Sequence, residues 1–360
     1  MTRILTVSLV TLGDPGRLTG GYRYHRRMAE LAPSCGASVA FVSFPDRPFP
    51  LPALAGRAVL GRARADVVVL DSIAAAFAGP WLRDGRGPPL VGSLHQPPGG
   101  IDHGPARRAL QVPLDRRAWR RARLLVVASQ ALGDELAAQG FPPERTRVVP
   151  PGRDLPVPAG LPPADLRRGR RASVACVANW VERKGILELL DATAGLPDEL
   201  VTLHLAGDDR ADAGYGDRVR ARLARPDLAG RVVVHGPVAA EQVAALYRDA
   251  DIFALPSVRE PFGTVWGEAM AAGLPVVGWR AGNLPHLASD GREGLLADPG
   301  DVAGLGRALR RLAEDEPLRR RLAGAARERA AARPTWAQSA ERFFAALREA
   351  AAAGQGSGPA

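Results

Sequence analysis

Lysine is almost missing from this chain: Lys184 is the only one among 48 basic residues. The formal charge of +10 is therefore carried by arginine. With so many Ala, Gly and Pro around it, that arginine reads as a compositional bias spread over solvated faces, and specific binding of nucleic acid is not expected. Cysteine is equally scarce. Cys35 and Cys176 stand far apart with no ligand-like spacing, which excludes a disulfide framework and a zinc site and fits a reducing cytoplasm. No apolar run is long enough to span a membrane. The strand-like residues 4–10 that follow Met1-Thr2-Arg3 are too short for the apolar region of a signal peptide. The expected location is the cytoplasm, with any membrane contact peripheral, at the inner face. Internal repeats are also absent, which excludes a solenoid or propeller.

What is present is the composition of a globular protein: 360 residues, 46% hydrophobic and 24% charged, enough for two cores. Short β-branched runs at residues 4–10, 39–44, 66–71, 89–95, 124–129 and 147–150 alternate with helical stretches such as 22–31 and 131–139. Such alternation predicts a parallel sheet with crossover helices. It lapses over residues 154–171, where Pro156, Pro158, Gly160, Pro162 and Pro163 read as a linker. It restarts with strands at 173–178, 201–206, 231–235 and 251–255 and helices at 186–194 and 241–249. The predicted class is α/β, with two Rossmann-like domains whose parallel sheets leave room for a central cleft. The expected domains are residues 1–158, residues 159–335, a helix at 336–351 packing back on the first domain through Phe343, Phe344 and Leu347, and a flexible tail at 352–360.

The most informative stretch is residues 256–277, PSVREPFGTVWGEAMAAGLPVV, which follows a strand, turns at Pro261 and Gly263 and opens a helix. Backbone N–H groups at Gly263, Thr264 and Val265, aided by the helix dipole, would form a site for phosphate or sugar hydroxyls. Glu260 precedes the turn and Glu268 lies one to two turns into the helix, so the two carboxylates can address different parts of one ligand.

The pattern Glu-x7-Glu within Glu-Pro-Phe-Gly…Glu-Ala-Met-Ala-x-Gly-x-Pro-Val-Val resembles the retaining glycosyltransferases of family 4. The resemblance extends from about Val7 to Trp336, including Pro151-Gly-Arg-Asp154 where the family usually has Asn-Gly-x-Asp, and it implies the GT-B architecture. It also implies roles. Glu260 would meet the transferred sugar, Phe262, Gly263 and Thr264 the sugar and phosphate, and Glu268 the ribose. Residues 177–186 resemble the family's phosphate-binding loop, with Lys184 at its lysine and Asn179 where an arginine is usual. Arg183 is then the better second cation, because charge-assisted bonds are about twice as strong as neutral ones. Gly20 and Gly21 match a glycine-rich loop facing the diphosphate, and His95, closing a strand at the carboxyl edge of the sheet, matches a histidine that touches the sugar. Gly207 and Asp208 resemble a Gly-Asp loop near the donor, and Gly294 and Leu295 a loop near the nucleotide. Residues 278–286 stand where the family commonly shows Gly-Gly-x-x-Glu, with Ala281 at the first glycine and His286 at the glutamate.

Three further signals point away from chemistry. Asp249-Ala-Asp251 enters a strand, so it does not read as a metal-binding pair. His204 and His235 sit inside strands and read as structural, and His25 and His103 carry no motif. The basic stretch holding Arg107, Arg108, Arg116, Arg117, Arg120, Arg121 and Arg123 could rest on anionic lipid, although Pro113 should interrupt its helix. The resemblance thus implies a hexosyltransferase using a UDP-, GDP- or ADP-sugar and a hydroxyl acceptor (glycan, lipid or small molecule). No metal or other cofactor is expected, because lysine, arginine and a helix terminus supply the positive potential. The alternatives are a GT-B sugar-nucleotide epimerase or a phosphorylase of the same fold, and, in a different class, a non-catalytic nucleotide-sugar-binding protein.

Overall fold

A computed structural model describes residues 3–16, 20–83, 87–153 and 160–355. The chain divides into two compact units: Met1–Gly152 with Pro334–Ala360, and Arg153–Arg333. Residues 154–159 of the expected linker and 356–360 of the expected tail lie outside the described residues.

The first unit is built on six strands, β1 (Leu5–Leu12), β2 (Ala37–Phe44), β3 (Val67–Asp71), β4 (Leu90–Leu94), β5 (Leu124–Val127) and β6 (Thr146–Val148). They are all parallel, in the order β2-β1-β3-β4-β5-β6. β3 and β5 are buried along their whole length, as a parallel strand covered on both faces requires, which is why they read as unbroken apolar runs. Five helices join them: α1 (Gly20–Leu31), α2 (Gly56–Arg62), α3 (Ala75–Ala78), α4 (Pro105–Arg121) and α5 (Gln130–Ala138). α4 continues through Pro113, against expectation. Pro113 and Ala109, whose carbonyl loses its helical donor there, both lie on the exposed side, so water can serve that carbonyl. Several arginines of the basic stretch are committed within the unit. Arg116 donates to the Gln139 carbonyl at 2.8 Å, Arg117 to Gly79 at 3.0 Å and Arg123 to Ala350 at 3.4 Å, and the Arg107 guanidinium lies 5.1 Å over the Phe49 ring.

The second unit carries β7 (Ala172–Val177), β8 (Val201–Ala206), β9 (Val232–Gly236), β10 (Ile252–Ala254), β11 (Val276–Trp279) and β12 (Gly294–Ala297), parallel in the order β12-β11-β10-β7-β8-β9. Its helices are α6 (Ile186–Ala194), α7 (Ala213–Leu223), α8 (Ala240–Asp249), α9 (Thr264–Ala272), α10 (Leu284–Leu287), α11 (Val302–Glu314) and α12 (Glu316–Ala331). Asp249 and Asp251 anchor the segment that enters this sheet: Asp249 accepts from Ala164 N at 3.1 Å, and Asp251 from Arg167 at 2.6 and 2.9 Å and from Ser173 N at 2.8 Å. His204 Nδ1 meets His235 Nε2 at 3.0 Å between adjacent strands.

The last helix, α13 (Trp336–Gln355), returns to the first unit and runs beyond residue 351. Its Phe343, Phe344 and Leu347 are fully buried against Tyr24, Met28, Val67, Val91 and Val126. Each such side chain contributes roughly 1.5–3 kcal/mol. Among the described residues no helix is long and apolar enough to cross a membrane.

Candidate active site

In open parallel sheets ligands bind at carboxyl ends of strands, where the strand order reverses. In the second unit the reversal falls between β7 and β10, and the loops leaving those two strands carry Lys184 and Glu260. The loops are fastened together. Val258 N donates to the Arg183 carbonyl at 2.9 Å, and Ser257 Oγ lies 3.0 Å from the same oxygen. Gly185 has φ 70°, and a Cβ there would fall 2.3 Å from the Pro256 carbonyl oxygen, so no side chain fits between Lys184 and α6. The result is a focused charge cluster: Lys184 Nζ pairs with Glu260 Oε2, and Arg183 Nη1 lies 3.3 Å from the same oxygen and donates to the Arg259 carbonyl at 3.0 Å. The three side chains are only 12%, 21% and 16% exposed for Lys184, Arg183 and Glu260, so two cations and one carboxylate face each other with little screening.

Directly after Glu260 the chain turns into α9. Gly263 is the N-cap with φ 81° and supplies no side-chain cap, and the first helical bond runs from Gly267 N to Gly263 O at 3.3 Å. The amides ahead of that bond have no helical partner, which suits an anion. A Cβ on Gly263 would sit 2.2 Å from the buried Trp266 ring. Arg333 stacks over Phe262 at 5.0 Å, and Gly267 has no Cβ because the Arg333 guanidinium fills that space. Glu268 lies half-buried on α9, and its charge adds to burial in raising the Tyr247 hydroxyl's pKa well above the usual range. Asn179 is exposed, and its Oδ1 accepts from Asp208 N at 3.2 Å, tying the loop after β7 to the Gly207 turn after β8. Asp208 Oδ1 in turn caps Arg210 N at 2.9 Å.

Gly294 and Leu295 do not join the cluster: they open β12, where Gly294 pairs with Val276 at the amino edge of the sheet, and Leu295 is buried. The close approach that removes the Gly294 side chain is to the Val276 carbonyl, 2.0 Å from where a Cβ would be. The glycine needed beside the site is Gly282, not position 281. Its φ is 56°, and a Cβ would lie 2.9 Å from Glu260 N. Counted from Gly282, the Gly-Gly-x-x-Glu spacing puts its departures at Asn283 and His286. Asn283 was missed in the sequence, and it braces the acidic loop: its N donates to Glu260 O at 3.0 Å and its Nδ2 to Phe262 O at 2.7 Å.

In the first unit the strand order reverses between β1 and β3. α1 follows β1, and its Gly21 lies against His95, which follows β4; a Cβ on Gly21 would be 3.5 Å from His95 Cδ2. Gly20 has open space around it. Sequence reasoning passed over His25, yet its Nε2 is 3.1 Å from His95 Nε2 and its Nδ1 faces Asp71 Oδ2 at 3.4 Å. The available signal was position: His25 is one helical turn after Gly21, and Asp71 is the last residue of its strand. Burial and the neighbouring His25 push the His95 pKa down to about 3. Burial opposes ionisation of Asp71, but His25 and the Thr11 hydroxyl, at 2.8 Å, hold it below the usual carboxylate range. No group of three His, Cys, Asp or Glu suited to a metal ion occurs among the described residues.

Residues 163–329 match the sequence model of glycosyl transferases group 1, and residues 3–152 that of a glycosyl transferase 4-like domain. The D-inositol 3-phosphate glycosyltransferase of Corynebacterium diphtheriae is 29% identical over 273 residues, 72% of this chain and 63% of that protein. Its counterpart from Corynebacterium kroppenstedtii is 34% identical over 231 residues, 60% of this chain and 51% of that protein. The chain thus spans between half and two thirds of these relatives. Among solved structures, a sucrose-phosphate synthase from Thermosynechococcus elongatus superposes with a TM-score of 0.78 at 22% identity, covering 97% of this chain and 100% of the other. Anabaena HepE in complex with UDP-glucose gives 0.77 at 23% identity, covering 96% and 100%.

Proposed function

Because the chain belongs to the group 1 glycosyltransferases of family 4 and has the GT-B fold, we propose that it moves a hexose from a nucleoside diphosphate sugar to a hydroxyl, retaining the anomeric configuration. The observation that carries this reading is the convergence of Lys184 and Arg183 on Glu260 beside the start of α9. A diphosphate is the ligand that such cations and unpaired amides favour. When it binds, Lys184 and Arg183 exchange Glu260 for phosphate oxygens, and the released carboxylate can accept hydrogen bonds from the sugar. Glu268 takes the ribose hydroxyls.

In the transfer, the bond from the anomeric carbon to the diphosphate oxygen breaks and the acceptor oxygen bonds to that carbon on the same face. The acceptor's proton passes to the departing phosphate. Lys184, Arg183 and the α9 amides stabilise the charge growing on that phosphate, a role that needs no metal. Activity surviving EDTA supports this part, and abolition by EDTA with restoration by a divalent ion refutes it.

The names of the curated relatives make an inositol phosphate the first acceptor to try, and the HepE complexes make UDP-glucose the first donor. A coupled assay with that pair, the anomeric proton coupling of the product, and the variant Glu260→Ala test the proposal together. Full turnover by Glu260→Ala would sink it. Conversion of the donor without any acceptor would mean an epimerase instead, and donor binding without hydrolysis or transfer across an acceptor panel a non-catalytic binding protein.

The two cysteines, both free thiols, favour a cytoplasmic setting. Leu110 and Arg120, both exposed on α4, are side chains that a contact with anionic lipid would use, and failure to co-sediment with anionic vesicles would remove that contact from the proposal.

A further inference from the structure

Behind His95 runs a buried row of polar side chains that donor binding does not use. Asp71 ends β3 and is 2% exposed. Its Oδ2 accepts from the Thr11 hydroxyl at 2.8 Å, and its Oδ1 lies 3.3 Å from both Ser72 Oγ and Ile73 N. His25, from α1, is fully buried, and among the described residues its Nδ1 has no partner other than the facing Asp71 oxygen at 3.4 Å. Its Nε2 is 3.1 Å from His95 Nε2 and 3.0 Å from Ser93 Oγ. The Tyr24 ring stands edge-on to His95 at 4.7 Å and closes one side of the row.

The proton positions follow in order from the carboxylate. An ionised carboxylate only accepts, so the ring nitrogen that faces it carries hydrogen. With a single proton, His25 then has its lone pair on Nε2. Two imidazole nitrogens 3.1 Å apart hold one hydrogen between them, and here it belongs to His95. The Ser93 hydroxyl can rotate to suit either arrangement. His95 is left with Nε2–H turned inward and a lone pair on Nδ1.

We propose that His25 carries a single proton and that Asp71 and His25 are positioning residues that fix His95 as its neutral Nε2–H tautomer, making Nδ1 an acceptor for a hydroxyl of the bound sugar. The second half of this statement rests on His95 facing the substrate; the first does not. The same logic operates where an aspartate fixes the tautomer of a catalytic histidine, and there an Asp→Asn change leaves the geometry but reverses the tautomer.

The test is two-bond 1H–15N NMR of the imidazoles in the full 15N-labelled chain without ligand, at about pH 8, above the ordinary histidine pKa of roughly 6.5. His95 is assigned by the signals lost in His95→Gln. The expected pattern is a protonated Nε2 and an unprotonated Nδ1. A protonated Nδ1, which would arise if His25 held two protons and donated to His95, overturns the proposal whatever the substrate.

In Asp71→Asn the new amide can donate to His25 Nδ1. The row should then reverse, with His95 Nδ1 protonated, kcat lowered about tenfold or more, and the dissociation constant for UDP unchanged. An unreversed tautomer in a folded Asp71→Asn protein also overturns the proposal, and the wild-type spectrum decides the matter if that variant does not fold. Full transfer by His95→Ala with the expected wild-type spectrum would refute the substrate-facing role while the fixed tautomer stands.

Discussion

Replacing Glu260 by glutamine should tighten the binding of UDP while abolishing transfer. In the unliganded chain the carboxylate holds Lys184 and, at 3.3 Å, Arg183, the two cations that a diphosphate would need. Glutamine keeps the shape, and with it the backbone bond from Asn283 N to residue 260 at 3.0 Å, but gives up the charge. Two unit charges about 4 Å apart at an effective dielectric of about 20 interact by roughly 4 kcal/mol, of which desolvation returns most. Pairs with some solvent access net about 1 kcal/mol or less, and removal of the carboxylate's repulsion of the incoming phosphates works in the same direction. The expected gain for UDP is therefore about 1 kcal/mol, a five- to tenfold lower Kd by isothermal titration calorimetry. Transfer should meanwhile fall by about a hundredfold or more. Lys184→Ala should do the opposite to UDP, losing a charge-assisted bond of roughly 1.5–3 kcal/mol and weakening Kd about 10- to 150-fold. An unchanged or weaker Kd for UDP in Glu260→Gln would refute the view that the carboxylate competes with the ligand for these cations.

Gly282→Ala should cost about 1–2 kcal/mol of stability, because φ is 56° and the new methyl meets Glu260 N at 2.9 Å. It should also cut transfer by displacing the acidic loop, and a variant with wild-type Tm and activity would contradict that packing. The pH dependence has a definite sign. Burial and His25 push His95 down to about 3 in the folded chain from an ordinary 6.5, so between those values the unfolded chain binds the extra proton. Stability from this residue is fully present above about pH 6.5 and is lost as pH falls, by up to about 1.4 kcal/mol per pH unit. The stability difference between wild type and His95→Gln, from urea titrations at several pH values, should therefore grow between about pH 4 and pH 6; a flat difference would show that His95 is not held neutral.

Helix α6 falls on the predicted residues 186–194, and the start of α9 was legible because its signal is local: a turn, a glycine cap and an apolar helical face within one stretch. What was not legible depends on pairing across the sheet. His25 and His95 are 70 residues apart and meet only because β1, β3 and β4 are neighbours. Gly294 and Leu295 look like loop residues in sequence, and only the register of β12 on β11 puts them at the amino edge and in the core. The arginines of the basic stretch read as free charge because carbonyl partners such as Gly79, Gln139 and Ala350 lie in other segments. Proline at position 113 reads as a breaker unless the exposed side of the helix is known.

The composition itself supplies the last prediction. Arginine fills every basic position of this chain except 184, so a plain preference for arginine does not account for the lysine there. The site does. The neighbouring Arg183 has a second hold, with Nη1 on the Arg259 carbonyl at 3.0 Å, that it keeps when phosphate replaces Glu260. Lys184 is 12% exposed and pairs with the Glu260 carboxylate. An ammonium is a compact point charge on a flexible stem that can turn from carboxylate to phosphate, whereas an arginine at this position would hold Glu260 in a two-pronged grip and release it reluctantly. Lys184→Arg keeps the net charge, so if charge alone mattered it would behave as wild type. The structure instead leads us to expect a folded protein with a weaker Kd for UDP and transfer reduced about tenfold or more, since a loss of about 1.4 kcal/mol is enough for that. Wild-type binding and turnover by Lys184→Arg would refute the exchange of Lys184 between Glu260 and the diphosphate.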